Sequence, residues 1–276
     1  MGNHIVMEPA NKIREIARHA LTGYWKPVVL GVLIYYLLST GVMSFLDYFF
    51  AYDYPVEVYE GEVVETSFGF GGSIYSLIIG GPLQFGISMF LLTFFRARKC
   101  DNTLLFEGFS NFSRTFVLSI LVGVKVLLWS LLFIIPGIVA SFRYSQAFYI
   151  MVDNPTWTPG QCIRESCRIM NGNKGRYFWL QLTFFGWYML ASLPEAIYVA
   201  LSPTSGTIGG IITTLLLALP ALIVDAYSLT AQTAFYELAT ERLVVVNDYE
   251  PENVVHAEYT VEENPQPEET KNDDSL

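Results

Sequence analysis

The sequence predicts an all-α fold: a polytopic membrane helix bundle of six spans, arranged as three helical hairpins, each preceded by a cytoplasmic amphipathic helix. Three observations predict it. Hydrophobic residues make up 52% of the 276 residues and charged ones only 15%, where a soluble domain carries about a quarter. The charge deficit is uneven, with long apolar runs alternating with short basic ones. Finally, residues 127–155 read as two apolar runs joined at Pro136-Gly137, with Arg143 and Gln146 stranded in the second. That pattern is hard to place in a soluble core and natural for two crossings joined by a tight hairpin turn.

The net charge of −10 is local rather than global. Residues 243–276 carry ten acids against Lys271 alone, and the rest of the chain is near neutral. No case for nucleic-acid binding follows. The three cysteines, Cys100, Cys162 and Cys167, form no CxxC pair and fall in segments assigned to the cytoplasm, where thiols stay reduced. His4, His19 and His256 are scattered, so they do not converge as metal ligands must.

Taken in order, residues 8–26 form an amphipathic helix: Ile13, Ile16, Ala17, Ala20 and Leu21 recur at helical spacing, with Lys12, Arg14, Glu15 and Arg18 on other faces. The leader is too charged, and lacks a convincing cleavage site, for a signal peptide. Residues 27–50 form the first span, with Asp47 near its far end. Residues 51–72 carry five acids and no base, which places this loop outside, with a small β-hairpin around Glu60-Gly61. Residues 73–95 return as the second span, with Gly80-Gly81-Pro82 inside it and Arg96, Arg98 and Lys99 fixing its cytoplasmic end. Residues 101–114 read as a short interfacial helix. Residues 115–135 cross outward, Pro136-Gly137 turns, and residues 138–153 come back; this arm is short, so the pair is either a full hairpin or partly re-entrant. Thr158-Pro159-Gly160-Gln161 then opens a cytoplasmic helix with a capping box, and Ile163, Cys167 and Met170 form its apolar side. Residues 177–201 form the fifth span and residues 207–240 the sixth, with Pro220 inside it. Residues 247–276 are acidic, lack a hydrophobic pattern and are expected to be disordered, either solvating or recruiting a protein partner.

Counting bases sets the orientation. Thirteen of the sixteen fall in the segments 1–26, 96–114 and 154–176 or at Arg242, and none in an outer loop. A multi-pass protein of the cell membrane with both termini cytoplasmic is expected. A threefold repetition supports three hairpins: the inward spans carry Pro82, Pro136 and Pro220, each followed by a polar and aromatic half.

Leu128-Trp129, Ile134-Ile135-Pro136-Gly137-Ile138, Tyr144, Ala147-Phe148-Tyr149-Ile150 and Asp153-Asn154-Pro155 resemble the core motif of a bacterial integral-membrane family known as domain of unknown function 975. The Gly81-Pro82 span, Phe109-Ser110-Asn111-Phe112, the 181–187 stretch and Phe235-Tyr236-Glu237 also fit. The resemblance covers roughly residues 10–240. It implies a multi-span fold and no established activity. A looser likeness is to the membrane domain attached to some glycerophosphodiesterases. The acidic outer loop and tail are not part of either.

Charges within spans cost about 2.5–3.5 kcal/mol each at a helix centre. Lys125 and Arg143 each lie ten residues, about 15 Å, from the nearest inner boundary, and Asp225 sits at a similar level, five residues after Pro220. Lys125, Arg143, Gln146 and Asp225 therefore form a candidate mid-membrane polar cluster. It is either a site for an anionic group, such as a lipid phosphate, or a structural ion pair of Arg143 with Asp225, with Lys125 as the competing partner. Arg14, Arg18, Arg164 and Arg168 are candidate contacts for anionic phospholipid headgroups of the bilayer. No hydrolase, phosphate-loop or metalloprotease motif is present, and no cofactor is implied. The expected function is a non-enzymatic scaffold or regulatory membrane protein; the alternative is a transporter or lipid-handling protein that binds an anionic group at the mid-membrane cluster.

Overall fold

A computed structural model describes residues 4–58, 62–201 and 208–243. The chain runs through α1 (Ala10–Leu21), α2 (Trp25–Tyr36), a π-helical turn (Leu37–Gly41), α3 (Val42–Phe49), β1 (Ala51–Val58), β2 (Glu62–Gly69), α4 (Gly71–Ala97), a 3-10 turn (Asn102–Phe106), α5 (Glu107–Ser110), α6 (Phe112–Leu132), α7 (Ile134–Tyr144), α8 (Ala147–Asp153), α9 (Pro159–Ile169), α10 (Lys174–Leu201), α11 (Ile208–Leu217) and α12 (Leu219–Ala239). The acidic tail and the 202–206 outer loop lie outside the described residues, as does the Glu60-Gly61 turn.

The structure is a helical membrane bundle, but the expected six spans are not there. Four helical stretches are long and apolar enough to cross a bilayer: Trp25–Phe49, Gly71–Ala97, Phe112–Leu132 and Lys174–Leu201. A fifth is reached only if α11 and α12, bent by 48°, count as one. That bend falls at Ala218, with Pro220 in the first turn of α12; proline removes a helical donor and clashes with the preceding turn. The missing span is the expected return arm at 138–153. It breaks at Ser145-Gln146 into α7 of 11 residues and α8 of 7, each far short of the ~20 residues a crossing needs.

The hairpin turn also sits elsewhere. Phe133, not Pro136-Gly137, is the extended residue (φ −161°, ψ 153°) between α6 and α7. Pro136 lies in the first turn of α7, where its missing N–H is no loss. Gly137 lets α7 fold back along α6: a Cβ there would lie 2.1 Å from the Ser130 hydroxyl oxygen.

Nor does the structure repeat a helix-plus-hairpin unit three times. The 101–114 segment is not an amphipathic helix but a 3-10 turn and the four-residue α5. Asp101 starts it by accepting bonds from the Thr103 amide (2.9 Å) and hydroxyl (2.6 Å). Its backbone then presses on α4: a Cβ at Gly108 would lie 2.0 Å from the Pro82 carbonyl oxygen, and one at Gly86 2.0 Å from that of Leu105. Contact at this range is possible only between glycine and bare backbone.

The two long amphipathic helices form as their periodicity requires. Ile13, Ile16, Ala17, Ala20 and Leu21 of α1 are all buried. In α9, Cys162, Ile163, Ser166 and Ile169 are buried while Cys167 is only half-buried, so the apolar stripe is rotated slightly from the expected one. Its capping box is closed by Thr158 N–H to Gln161 Oε1 (2.7 Å) and Gln161 N–H to Thr158 Oγ1 (3.4 Å). The β-hairpin is present and longer than expected, antiparallel from Ala51↔Gly69 to Val58↔Glu62. It joins α3 to α4, and the Asp47 carboxylate accepts the Gly72 amide at the start of α4 (2.7 Å), an anion at a helix N-terminus.

The core has two joined parts, one around α1, α8, α9 and the end of α12, the other around α2, α4 and the middle of α12. Most large side chains in the second half of α6, the start of α7 and the later turns of α10 are exposed. In a bilayer these face lipid.

Candidate functional site

Hydrogen bonds bring many helix ends to one end of the bundle, which we call the basic end. At its centre Arg96, near the end of α4, bridges two carboxylates. Its Nη1 donates to Asp153 Oδ1 (2.7 Å) and its Nη2 to Asp153 Oδ2 (3.1 Å) at the end of α8. Its Nε and Nη2 donate to Glu237 Oε1 of α12 (3.0 and 2.6 Å). The Tyr236 hydroxyl donates to Asp153 Oδ2 (2.5 Å), and Arg242 reaches the same oxygen. Tyr149 stacks on the Tyr236 ring with centroids 5.2 Å apart. The Asp153 and Glu237 side chains are 5% and 3% exposed, and that of Arg96 is 27% exposed. Two positive and two negative charges are balanced, with both acids shielded and paired to arginine, the condition under which buried ion groups are tolerated.

Other bases at this end tie backbone. Arg98 donates to the Ala20 carbonyl at the end of α1, where unpaired carbonyls attract a cation. Arg114 donates to the carbonyls of Asn154 (3.1 Å) and Trp157 (2.8 Å). Asn173, buried at the α9–α10 turn, accepts the Val6 amide (2.9 Å) and donates to the His4 carbonyl (2.8 Å), strapping the N-terminal segment down. Sequence reasoning reads Arg96, Arg98 and Arg114 only as markers of orientation and leaves Asp153 and Glu237 without a role. The signal is Glu237 in the last turn of a helix that ends among arginines: a shielded acid must be neutralised, and a cation is one way to do it.

The four expected headgroup contacts share this end but not one state. Arg18 and Arg164 are exposed and form no ion pair among the described residues. Arg14 is half-buried. Arg168 bonds Glu165 (2.5 Å). Trp157, Gln161, Arg164, Glu165 and Arg168 line an open groove of about 300 Å³ on α9.

The four residues of the expected mid-membrane cluster are not brought together. Lys125 and Arg143 are both exposed, and neither enters an ion pair among the described residues. Gln146 is buried, donates to the Ser145 hydroxyl (2.9 Å), and leaves its Oε1 without a partner. Asp225 accepts the Tyr188 hydroxyl on Oδ1 (2.8 Å) and has no ion-pair partner among the described residues. The expected Arg143–Asp225 pair is therefore absent. Offset from a proline fixes depth along a helix but not azimuth, and each residue turns the side chain by about 100°.

Asp225 instead lines a cleft of about 420 Å³ between α2, the π-helical turn, α3, α4 and α12. Tyr35, Tyr36 and Tyr75 are among its walls. The π-helical turn shapes it: the Tyr75 hydroxyl donates to the Leu38 carbonyl (2.5 Å), and the Ser39 hydroxyl to the Tyr35 carbonyl (2.8 Å). Such turns recur at functional sites because they widen the helix and free carbonyls.

Burial pushes the thiols of Cys100 and Cys162 above the ordinary range, which lowers the thiolate fraction at neutral pH. Among the described residues no three His, Cys, Asp or Glu side chains are grouped to hold a metal ion.

A family model described as "Protein of unknown function (DUF975)" matches residues 7–140 and 131–243. No curated protein and no solved structure matches the chain.

Proposed function

From the chain's membership of the DUF975 family, to which it belongs over nearly its full length, we propose that this integral membrane protein is a non-enzymatic scaffold whose basic end rests against anionic phospholipid headgroups at the cytoplasmic face. The observation that carries this reading is the arrangement of the basic end. Arg96, Arg98 and Arg114 turn inward and tie α1, α4, α6, α8 and α12 together, while Arg18 and Arg164 are left exposed on the two amphipathic helices. Such a unit presents fixed positive charge on a braced platform. Each base near an anionic surface contributes about 1 kcal/mol, and Trp157 beside Arg164 is the aromatic residue expected at a headgroup boundary.

The test is lipid retention by native mass spectrometry of the full chain. Arg18→Gln with Arg164→Gln should lose bound phosphatidylglycerol without changing thermal unfolding, since neither arginine holds the fold. Arg168→Gln, which removes the partner of Glu165, serves as a comparison and should lose less. Unchanged retention in the double variant would remove the headgroup contact from the reading. Orientation has its own assay. With the three native cysteines replaced, single cysteines at Glu60 and Ser275 are exposed to an impermeant thiol reagent on intact cells. Labelling at Glu60 only is expected; labelling at Ser275 would reverse the protein in the membrane.

A further inference from the structure

The Asp225 cleft has no place in the scaffold reading. We propose that it is a binding site for a hydrophobic organic monocation, an ammonium or similar positive centre carried on an apolar body. Such a site is independent of the headgroup contact at the basic end.

Asp225 lies fourteen residues before the end of α12, about 21 Å along the helix from the basic end. A carboxylate at that depth is expensive unless neutralised. The described chain offers no cation: Lys125 and Arg143 are exposed and pair with nothing here. One carboxylate oxygen, Oδ1, is used by Tyr188. The other has no hydrogen-bond partner among the described residues and is not sealed from solvent, so it is reachable. Asp225 is the one charged residue among those that line the cleft, and no Lys or Arg is among them.

Shape and lining select the kind of cation. A volume of about 420 Å³ falls in the range of organic ligand sites and far exceeds a bare ion. An ion of the calcium or magnesium type needs six or more converging oxygens, and one free carboxylate oxygen does not supply them. Apart from the hydroxyls of Ser39, Thr40 and Ser76, the remaining walls are apolar or aromatic, with Val32, Met43, Leu83 and Leu229 beside the tyrosines. Tyrosine faces attract cations, the more so where water is scarce. A phospholipid amine carries its own phosphate beside it, which the Asp225 carboxylate would repel, so the occupant is a cation without an attached anion.

The full chain, purified in detergent, is tested with two probes of equal size and opposite charge, tetraphenylphosphonium and tetraphenylborate, by scintillation proximity binding. One saturable site per chain for the cation and none for the anion is expected. Asp225→Asn, which keeps an acceptor for Tyr188, should weaken cation binding at least tenfold. Gly80→Phe leaves Asp225 intact and should abolish binding by filling the cleft; a Cβ at Gly80 meets only the Ser76 hydroxyl, at 3.9 Å. This second variant carries the test if Asp225→Asn does not fold. Equal binding of both probes, or wild-type affinity in either folded variant, overturns the proposal. Displacement by phosphatidylethanolamine but not by dodecylamine overturns the choice of occupant.

Discussion

Arg96→Gln removes a side chain of α4 that bonds both α8 and α12, and its cost can be reasoned from exposure and bonding. Arg96 makes four hydrogen bonds to two carboxylates that are 5% and 3% exposed. Without it, Glu237 keeps no ion-pair partner among the described residues, and Asp153 keeps Arg242 and Tyr236. Breaking a shielded pair from one side costs about 3–5 kcal/mol, because a charge is left unpaired. Arg242 makes the useful contrast. It touches the same Asp153 oxygen, but its side chain is 40% exposed, and solvent screening reduces such a contact to about 1 kcal/mol or less. The assay is unfolding of the purified protein by SDS in mixed micelles, followed by far-ultraviolet circular dichroism. Arg96→Gln should destabilise by several-fold more than Arg242→Gln. In a cycle with Glu237→Gln, the pair should couple by about 1.5–3 kcal/mol. Equal effects of Arg96→Gln and Arg242→Gln, or a cycle that adds strictly, would refute the claim that the buried acids depend on Arg96.

Two further predictions test packing and chemistry away from this network. Gly86→Ala and Gly108→Ala each drive a methyl group into backbone at 2.0 Å and should sharply lower accumulation of folded protein, whereas Gly123→Ala, with nothing within 4 Å, should be neutral. In the native protein Cys162 is fully buried and should resist iodoacetamide. Cys100, whose thiol is pushed up by burial, should react slowly at neutral pH and faster as pH rises, because the thiolate is the reacting form; Cys162 reacting as fast as Cys100 would contradict the packing of α9.

What the sequence makes legible follows from which signals are local. The apolar stripes of α1 and α9 are periodic over three turns, and Thr158 with Gln161 caps its own helix, so these elements appear almost where spacing puts them. The count of spans fails for the converse reason. An apolar run states that a segment avoids water, not that its helix is continuous. The break at Ala218 interrupts a run whose hydrophobicity does not change, and the one at Ser145-Gln146 falls on polar residues that a span could equally have carried. The supposed repeat fails because its middle member, 101–114, is governed by the close backbone contacts of Gly86 and Gly108 with the opposing chain, and these have no signature in periodicity.

Charge shows the same division between depth and direction. Lys125, Arg143 and Asp225 group together by depth along their helices, and depth alone says nothing about which way a side chain points. Arg143 turns its side chain to the exterior while its backbone carbonyl accepts the Ser166 hydroxyl (2.9 Å). Asp225 turns inward to a cleft most of whose other walls come from α2, the π-helical turn, α3 and α4, more than 140 residues earlier. Arg96 is legible as a charge and not as a hub, since its partners Asp153 and Glu237 lie 57 and 141 residues away. Yet both acids stand within the strings that resemble the family motif, at the ends of apolar helices where a lone acid is costly. An acid in such a place is stabilised by a cation partner, a proton or hydrogen bonds. Asp153 and Glu237 find a cation in Arg96. Asp225 finds none within the described chain, and that difference separates the acids that hold the fold from the acid left to bind a ligand.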